Sequence, residues 1–212
     1  VADLLPFLFR PLQVRPRRAH FFIPPIYTSQ SLPTNTLLMP ALLMPDAEVA
    51  ESITCILSDV DGVMTDGRIV YDNACVETKR FHVRDGVAIK AWMKSGFHFG
   101  ILTARTSQIV SHRAAELGIK DVQQGYDDKL PAAQTMISAF GCRPEQVCYI
   151  GDDLPDIPVM RRVALGVAPA DAASDAQDAA AWVLRAKGGE GALRELIERL
   201  LRSKHRWEEH LR

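Results

Sequence analysis

Aspartates recur where apolar runs end. Asp59-Val60-Asp61-Gly62-Val63-Met64-Thr65 follows the run Ile53–Leu57, and Gly151-Asp152-Asp153-Leu154-Pro155-Asp156 follows Val147–Ile150. Between them lie Thr103, just past Phe97–Leu102, and Lys129, at the front of a helical stretch. Taken singly each is a weak signal, since an acid at a strand end commonly caps a helix or makes a turn. In order, they describe one chemistry. Converging carboxylates repel unless a cation compensates them, and hard oxygen donors without His or Cys select Mg²⁺ over Zn²⁺. A hydroxyl (Thr103) and an ammonium (Lys129) aimed at one point suit the equatorial oxygens of a phosphoryl group in transfer. An Asp beside the metal can attack as nucleophile and form an aspartyl-phosphate. A second Asp two residues on can serve as general acid, then as base to water.

Such residues converge only if the strands that carry them are parallel neighbours. The pattern predicts strands at 53–57, 97–102, 121–124, 147–150, 164–168 and 182–184. Helices are expected over 87–95, 106–117, 130–140, 157–162, 171–179 and 191–203, with Gly96 and Gly118 as stops. Leu193, Leu196, Ile197 and Leu200 share one face of the last helix. Arg68–Tyr71 and Val76–Phe81 read as a small β-hairpin. Strands alternating with helices predict an α/β fold, an open parallel sheet flanked by helices. In such sheets ligands bind outside the carboxyl ends of the strands, where all the acids above fall.

The 212 residues carry a formal charge of −1, with 47% apolar and 24% charged residues. That is one ordinary domain, with no chain-wide positive field for nucleic acid and no apolar run long enough to span a membrane. Cys55, Cys75, Cys142 and Cys148 form no metal or redox spacing and read as reduced thiols of a cytoplasmic protein. Eight of the thirteen prolines fall before residue 46, and all thirteen glycines lie after residue 61. Residues 1–50 are therefore expected to be a Pro-rich extension, either disordered or absent from the mature protein, with Met39 or Met44 as alternative starts. Arg10, Arg15, Arg17 and Arg18 also fit a transit peptide or a membrane-surface arm. The catalytic domain is expected over 51–203, followed by a tail over 204–212.

Asp59-x-Asp61-Gly-Val-Met-Thr65, Thr103, Lys129 and Gly151-Asp-Asp-Leu-Pro-Asp156 together resemble the four motifs of the haloacid dehalogenase superfamily of phosphohydrolases. The resemblance implies Asp59 as nucleophile, Asp61 as acid/base, and Mg²⁺ held by Asp59, the Asp61 carbonyl and Asp152. Asp153 and Asp156 are left between capping and support of the metal ligands. Neither the interval from Asp59 to Thr103 nor that from Lys129 to Asp152 has room for a cap domain, so the chain is similar to the capless branch. That branch closes its sites by forming tetramers, and a homotetramer is expected.

Phe81-His-Val-Arg-Asp-Gly86 and Gly188-Gly-Glu-Gly191 resemble the 3-deoxy-D-manno-octulosonate 8-phosphate phosphatase family. That resemblance implies an anionic sugar-acid phosphate, bound by Asp61, His82, Val83, Arg84, Asp85, Gly86, Lys90, Arg105, Arg113 and Lys129. Several cations suit a substrate with both carboxylate and phosphate. Arg105 and Arg113 are read as substrate cations, with a solvated helix face as the alternative; Lys90 reads equally as a surface lysine. Glu190 stands where the family has Arg. A related family acting on nine-carbon sugar-acid 9-phosphates has Glu there, but usually lacks the counterparts of Arg105 and Arg84-Asp85-Gly86. Two other readings compete: a catalytically silent domain of a sugar nucleotidyltransferase, and a receiver domain. The receiver would need a lone acceptor Asp after its third strand, which this order does not supply.

Overall fold

The structure, a computed structural model, describes residues 46–211. In chain order it begins with helix α1 (Asp46–Ser52), strand β1 (Cys55–Ser58), the short strands β2 (Val70–Tyr71) and β3 (Glu77–Thr78), and α2 (Val83–Lys94). Then come β4 (His98–Thr103), α3 (Gln108–Leu117), β5 (Asp121–Gln124), α4 (Lys129–Ala139) and β6 (Val147–Ile150). The chain continues through α5 (Ile157–Met160), β7 (Leu165–Ala168), α6 (Ser174–Ala179), β8 (Trp182–Val183) and α7 (Ala192–Ser203).

Six strands form one parallel sheet in the order β5-β4-β1-β6-β7-β8. β1, β6 and β7 are buried at every residue, as continuous apolar runs covered on both faces must be. Side chains alternate between two layers. Ile56, Ile101, Ile150 and Val167 face one core with α2 and α7, while Leu57, Leu102 and Tyr149 face the other with α4 and α5. α7 buries Leu193, Leu196, Ile197, Leu200 and Leu201, each contributing about 1.5–3 kcal/mol of apolar transfer. Successive strands step one way from β1 to β5 and the other way from β6 to β8. A crevice therefore opens between the carboxyl ends of β1 and β6.

The expected open parallel sheet is present, with three differences at the edges. Helix α1 starts at Asp46 and buries Val49 and Ala50, so ordered structure begins upstream of the expected boundary at 51. Two apolar side chains against α7 outweigh the proline bias of the preceding text; the rest of the expected extension, residues 1–45, lies outside the described residues. α2 begins at Val83 rather than Val87, because the turn Val83-Arg-Asp-Gly86 is held from outside by tertiary contacts of Asp85. The expected tail, over its described residues 204–211, is packed against the domain. Trp207 is buried beneath the guanidinium of Arg194, 4.4 Å from its ring centre, and Lys204 Nζ donates to the Glu51 carbonyl at 2.5 Å. Among the described residues, the segment between β1 and β4 holds only the β2–β3 hairpin and α2, with no cap domain.

Candidate active site

Asp59 follows β1, and Asp152 lies two residues beyond β6, so the topology places both at the crevice. Thr103, 2% exposed, ends β4, the strand paired with β1 on its other side. Lys129 is the first residue of α4, buried beneath the same strand ends. One oxygen each from Asp59, Asp152 and Asp156 falls within 4.8 Å of the others. Gly62 makes this approach feasible. Its φ is +91°, and a Cβ there would stand 1.9 Å from Asp152 Oδ2, so no larger residue leaves the carboxylate in place.

Asp156 organises the cluster. Its Oδ1 accepts from Lys129 Nζ at 2.7 Å and Tyr149 Oη at 2.6 Å, and its Oδ2 accepts the backbone N–H groups of Asp152 and Asp153 at 2.9 and 3.1 Å. With both oxygens engaged, Asp156 orients the loop and Lys129 rather than offering a vacant lone pair. Asp153 is exposed and caps the following 3-10 turn by accepting the Leu154 N–H. Lys129 Nζ also stands 2.9 Å from Asp59 Oδ1, an ion-pair distance without hydrogen-bond alignment, and Oδ1 has no other partner.

Three carboxylates thus face one ammonium. Burial, then the neighbouring Asp156, pushes Asp59 up to about 6 against the pull of Lys129. Burial, then Asp59 and Asp156, pushes Asp152 up to about 8. Burial alone would lower Lys129, but Asp59 and Asp156 outweigh it and hold the ammonium above its usual range. Uncompensated negative charge, all-oxygen donors and a buried Asp59 Oδ1 held only by the Lys129 ion pair fit a hard divalent cation.

A second cluster carries Asp61. Its Oδ1 is ion-paired with Lys79, whose side chain is 1% exposed, and its Oδ2 stands 3.6 Å from Arg105 Nε. Arg105 also donates to Glu77 at 2.7 Å and to Tyr71 Oη at 3.1 Å, and Ser107 donates to Glu77 at 2.7 Å. These contacts fold the hairpin against the strand ends. Sequence reasoning missed Lys79 and Glu77. The signal was their i, i+2 spacing, which puts both on one face of a strand.

The other expected substrate residues are elsewhere in the protomer. Asp85 is buried, and its Oδ1 accepts the Arg194 N–H at 2.7 Å. Gly86 leaves room for Arg113, whose Nη2 would lie 2.5 Å from a Cβ there. Arg113 pairs with Glu116 at 2.8 Å and lies over Phe81, and Lys90 is exposed near Glu116. Val83 is exposed, while His82 and Arg84 line a groove of about 600 Å³ with Glu190, Arg194 and Arg202. Of the cations implied by the resemblance, the single chain brings only Lys129 and Arg105 to the two aspartates.

Residues 119–196 match the family model for haloacid dehalogenase-like hydrolases. The 3-deoxy-D-manno-octulosonate 8-phosphate phosphatase of Yersinia pestis is 45% identical over 152 residues, covering 72% of this chain and 81% of that one. That of Escherichia coli K12 is 43% identical over the same share. The crystal structure of the Moraxella catarrhalis phosphatase, in complex with a magnesium ion, a phosphate ion and a KDO molecule, superposes with a TM-score of 0.76 at 34% identity. It covers 78% of this chain and 95% of that one. The four motifs, the parallel sheet and these relatives agree: the chain belongs to the haloacid dehalogenase-like hydrolases and, within their capless branch, to the 3-deoxy-D-manno-octulosonate 8-phosphate phosphatase family.

Proposed function

We propose that this chain is a Mg²⁺-dependent phosphatase that hydrolyses 3-deoxy-D-manno-octulosonate 8-phosphate to the free sugar acid and phosphate. The observation that carries the reading is the placement of Asp59 at the switch point, between Lys129 and Asp152 and two residues before Asp61. Asp59 attacks phosphorus, the bond to the sugar oxygen breaks with its electron pair on that oxygen, and Asp61 supplies the proton. Water then attacks the aspartyl-phosphate and gives its proton to Asp61, and the bond to Asp59 breaks, returning the carboxylate. Lys129 and Thr103 hold the phosphoryl oxygens, while Asp156 and Tyr149 keep Lys129 aimed. Asp59, the Asp61 carbonyl and Asp152 would hold Mg²⁺, which when bound offsets the charge of the carboxylates and the phosphoryl group.

Arg105, at the rim beside Asp61, supports an anionic sugar. Of the other implied contacts, His82 to Gly86, Lys90 and Arg113, Asp85 is engaged with the Arg194 N–H and Arg113 with Glu116 within the single chain, which leaves room for a neighbouring protomer to close each site. Ile69, Val70, Tyr71, Val76, Val83 and Val87 expose apolar side chains on the hairpin and α2, which supports a homotetramer. Among the described residues no helix is long and apolar enough to cross a membrane. With four free cysteines, a cytoplasmic enzyme of lipopolysaccharide precursor synthesis is the reading adopted. Glu190 keeps a nine-carbon 9-phosphate as the second substrate to test. A panel of eight-carbon, nine-carbon and simple sugar phosphates decides: the highest kcat/KM is expected for the eight-carbon substrate, and a preference for the nine-carbon one would overturn that assignment. Light scattering is expected to give a tetramer, and a fully active monomer would contradict closure by a neighbour.

A further inference from the structure

The hairpin lysine is in an unusual place. Burying an ammonium costs several kcal/mol unless its partners repay it, yet the Lys79 side chain is 1% exposed. Its partners are Asp61 Oδ1 and, at 3.6 Å, Glu77 Oε1, which is itself held by Arg105 and Ser107. Asp61, Glu77, Lys79 and Arg105 make a set of two carboxylates and two cations, anchored on the hairpin and on the loop after β4.

A staple serving stability alone would occupy both oxygens of Asp61. Here only Oδ1 accepts hydrogen bonds, from Lys79 and, at 3.4 Å, from Thr65 Oγ1, while Oδ2 is left with the ion pair to Arg105. Asp61 Oδ2 is buried without a hydrogen-bond partner, and so is Arg105 Nε, 3.6 Å away. One oxygen atom can contact both. Lys79 is the closest hold on a carboxylate whose χ2 is otherwise restrained only by a long Thr65 hydrogen bond and the Arg105 ion pair, and it leaves Oδ2 without a hydrogen bond.

We propose that Lys79 is a positioning residue, fixing Asp61 by Oδ1 so that Oδ2 faces the oxygen that leaves phosphorus, with Arg105 Nε beside it. The inference rests on reading Asp61 as the acid/base. It assigns the hairpin a part in the chemistry, through Lys79, in addition to any part in assembly.

Leaving groups provide the test. A sugar alkoxide needs a proton as it departs, whereas 4-nitrophenolate does not. Single-turnover cleavage of both phosphate esters is measured for wild type, Lys79→Met, Asp61→Asn and the double variant, with Mg²⁺ saturating. Lys79→Met is expected to slow release of the sugar acid about tenfold more than release of 4-nitrophenolate, a fraction of the full effect of a general acid. Added to Asp61→Asn, it is expected to change either rate by less than about twofold, because residues acting as one unit are not additive. Equal slowing of both esters, or a full multiplicative loss in the double variant, would show a merely structural lysine. Asp61→Asn slowing both esters equally would instead overturn the acid role of Asp61, and the inference with it. If circular dichroism shows Lys79→Met unfolded, Lys79→Gln, which keeps a donor without the charge, takes its place with the same expected pattern.

Discussion

The Asp85 carboxylate accepts the backbone N–H of Arg194 at 2.7 Å, tying the first turn of α2 to the first turn of α7 across 109 positions of sequence. α7 has no side-chain cap of its own at Gly191, so Asp85 satisfies an N–H that would otherwise be buried unpaired. The same contact fixes where Gly188-Gly189-Glu190-Gly191 leaves the site, since Gly189 donates to the Val63 carbonyl at 2.9 Å. Asp85→Ala should therefore cost about 1–2 kcal/mol, the scale of a lost helix cap. Asp85→Asn, which keeps an acceptor, should cost less. Urea midpoints with unchanged m-values would check both, and an Ala variant as stable as wild type would contradict the capping role.

Gly62→Ala should leave the sheet intact but displace Asp152, because the added Cβ would collide with its carboxylate. Mg²⁺ affinity is expected to fall about 10–100-fold, the scale seen when groups orienting metal ligands are lost. Calorimetric Mg²⁺ titration of the purified variant measures it. Wild-type affinity would mean that Asp152 does not hold the ion.

Metal binding should release protons. Asp59 and Asp152 are raised to about 6 and about 8 in the metal-free fold, from an ordinary value of 3.8. Raised carboxyl groups bind more protons folded than unfolded, so their contribution makes the metal-free protein less stable as pH rises from about 4 to about 8. Mg²⁺ needs the carboxylates, so its affinity should weaken as pH falls from 8 to 6. Titrations at pH 7 in two buffers of different ionisation heat should show net proton release. A release of zero with pH-independent affinity would show that both groups are already ionised.

Trp207 is buried beneath Arg194 and Arg202, closing the end of α7 that the sequence reads as a tail. Trp207→Ala should destabilise by about 3–5 kcal/mol, as large-to-small core changes do. Thermal and urea unfolding test this, and a shift within a few tenths of a kcal/mol would show that Trp207 does not anchor the segment.

The chemistry was legible because its carriers end the most regular parts of the text. Cys55–Ser58 and Val147–Ile150 are short buried runs, and an acid after each is placed by topology alone. Lys79 was not legible, since Glu-Thr-Lys-Arg reads as a solvated strand until the hairpin folds over Asp61. The contacts that Asp85 and Arg113 make within the protomer, one capping α7 and the other crossing Gly86, were not legible, because both depend on partners distant in sequence. The start of α1 was hidden because its two buried residues answer to α7, nearly 150 positions later.

The central claim is that Asp59 carries the phosphoryl group. Rapid acid quench during turnover of 4-nitrophenyl phosphate, followed by borohydride reduction and peptide mass spectrometry, converts an acyl-phosphate aspartate to homoserine. Homoserine is expected at position 59 alone, in greater amount in Asp61→Asn because the water-activating base is gone, and at no position in Asp59→Asn. An unmodified Asp59 in an enzyme that is turning over, or homoserine at Asp152 or Asp156 instead, would contradict the mechanism.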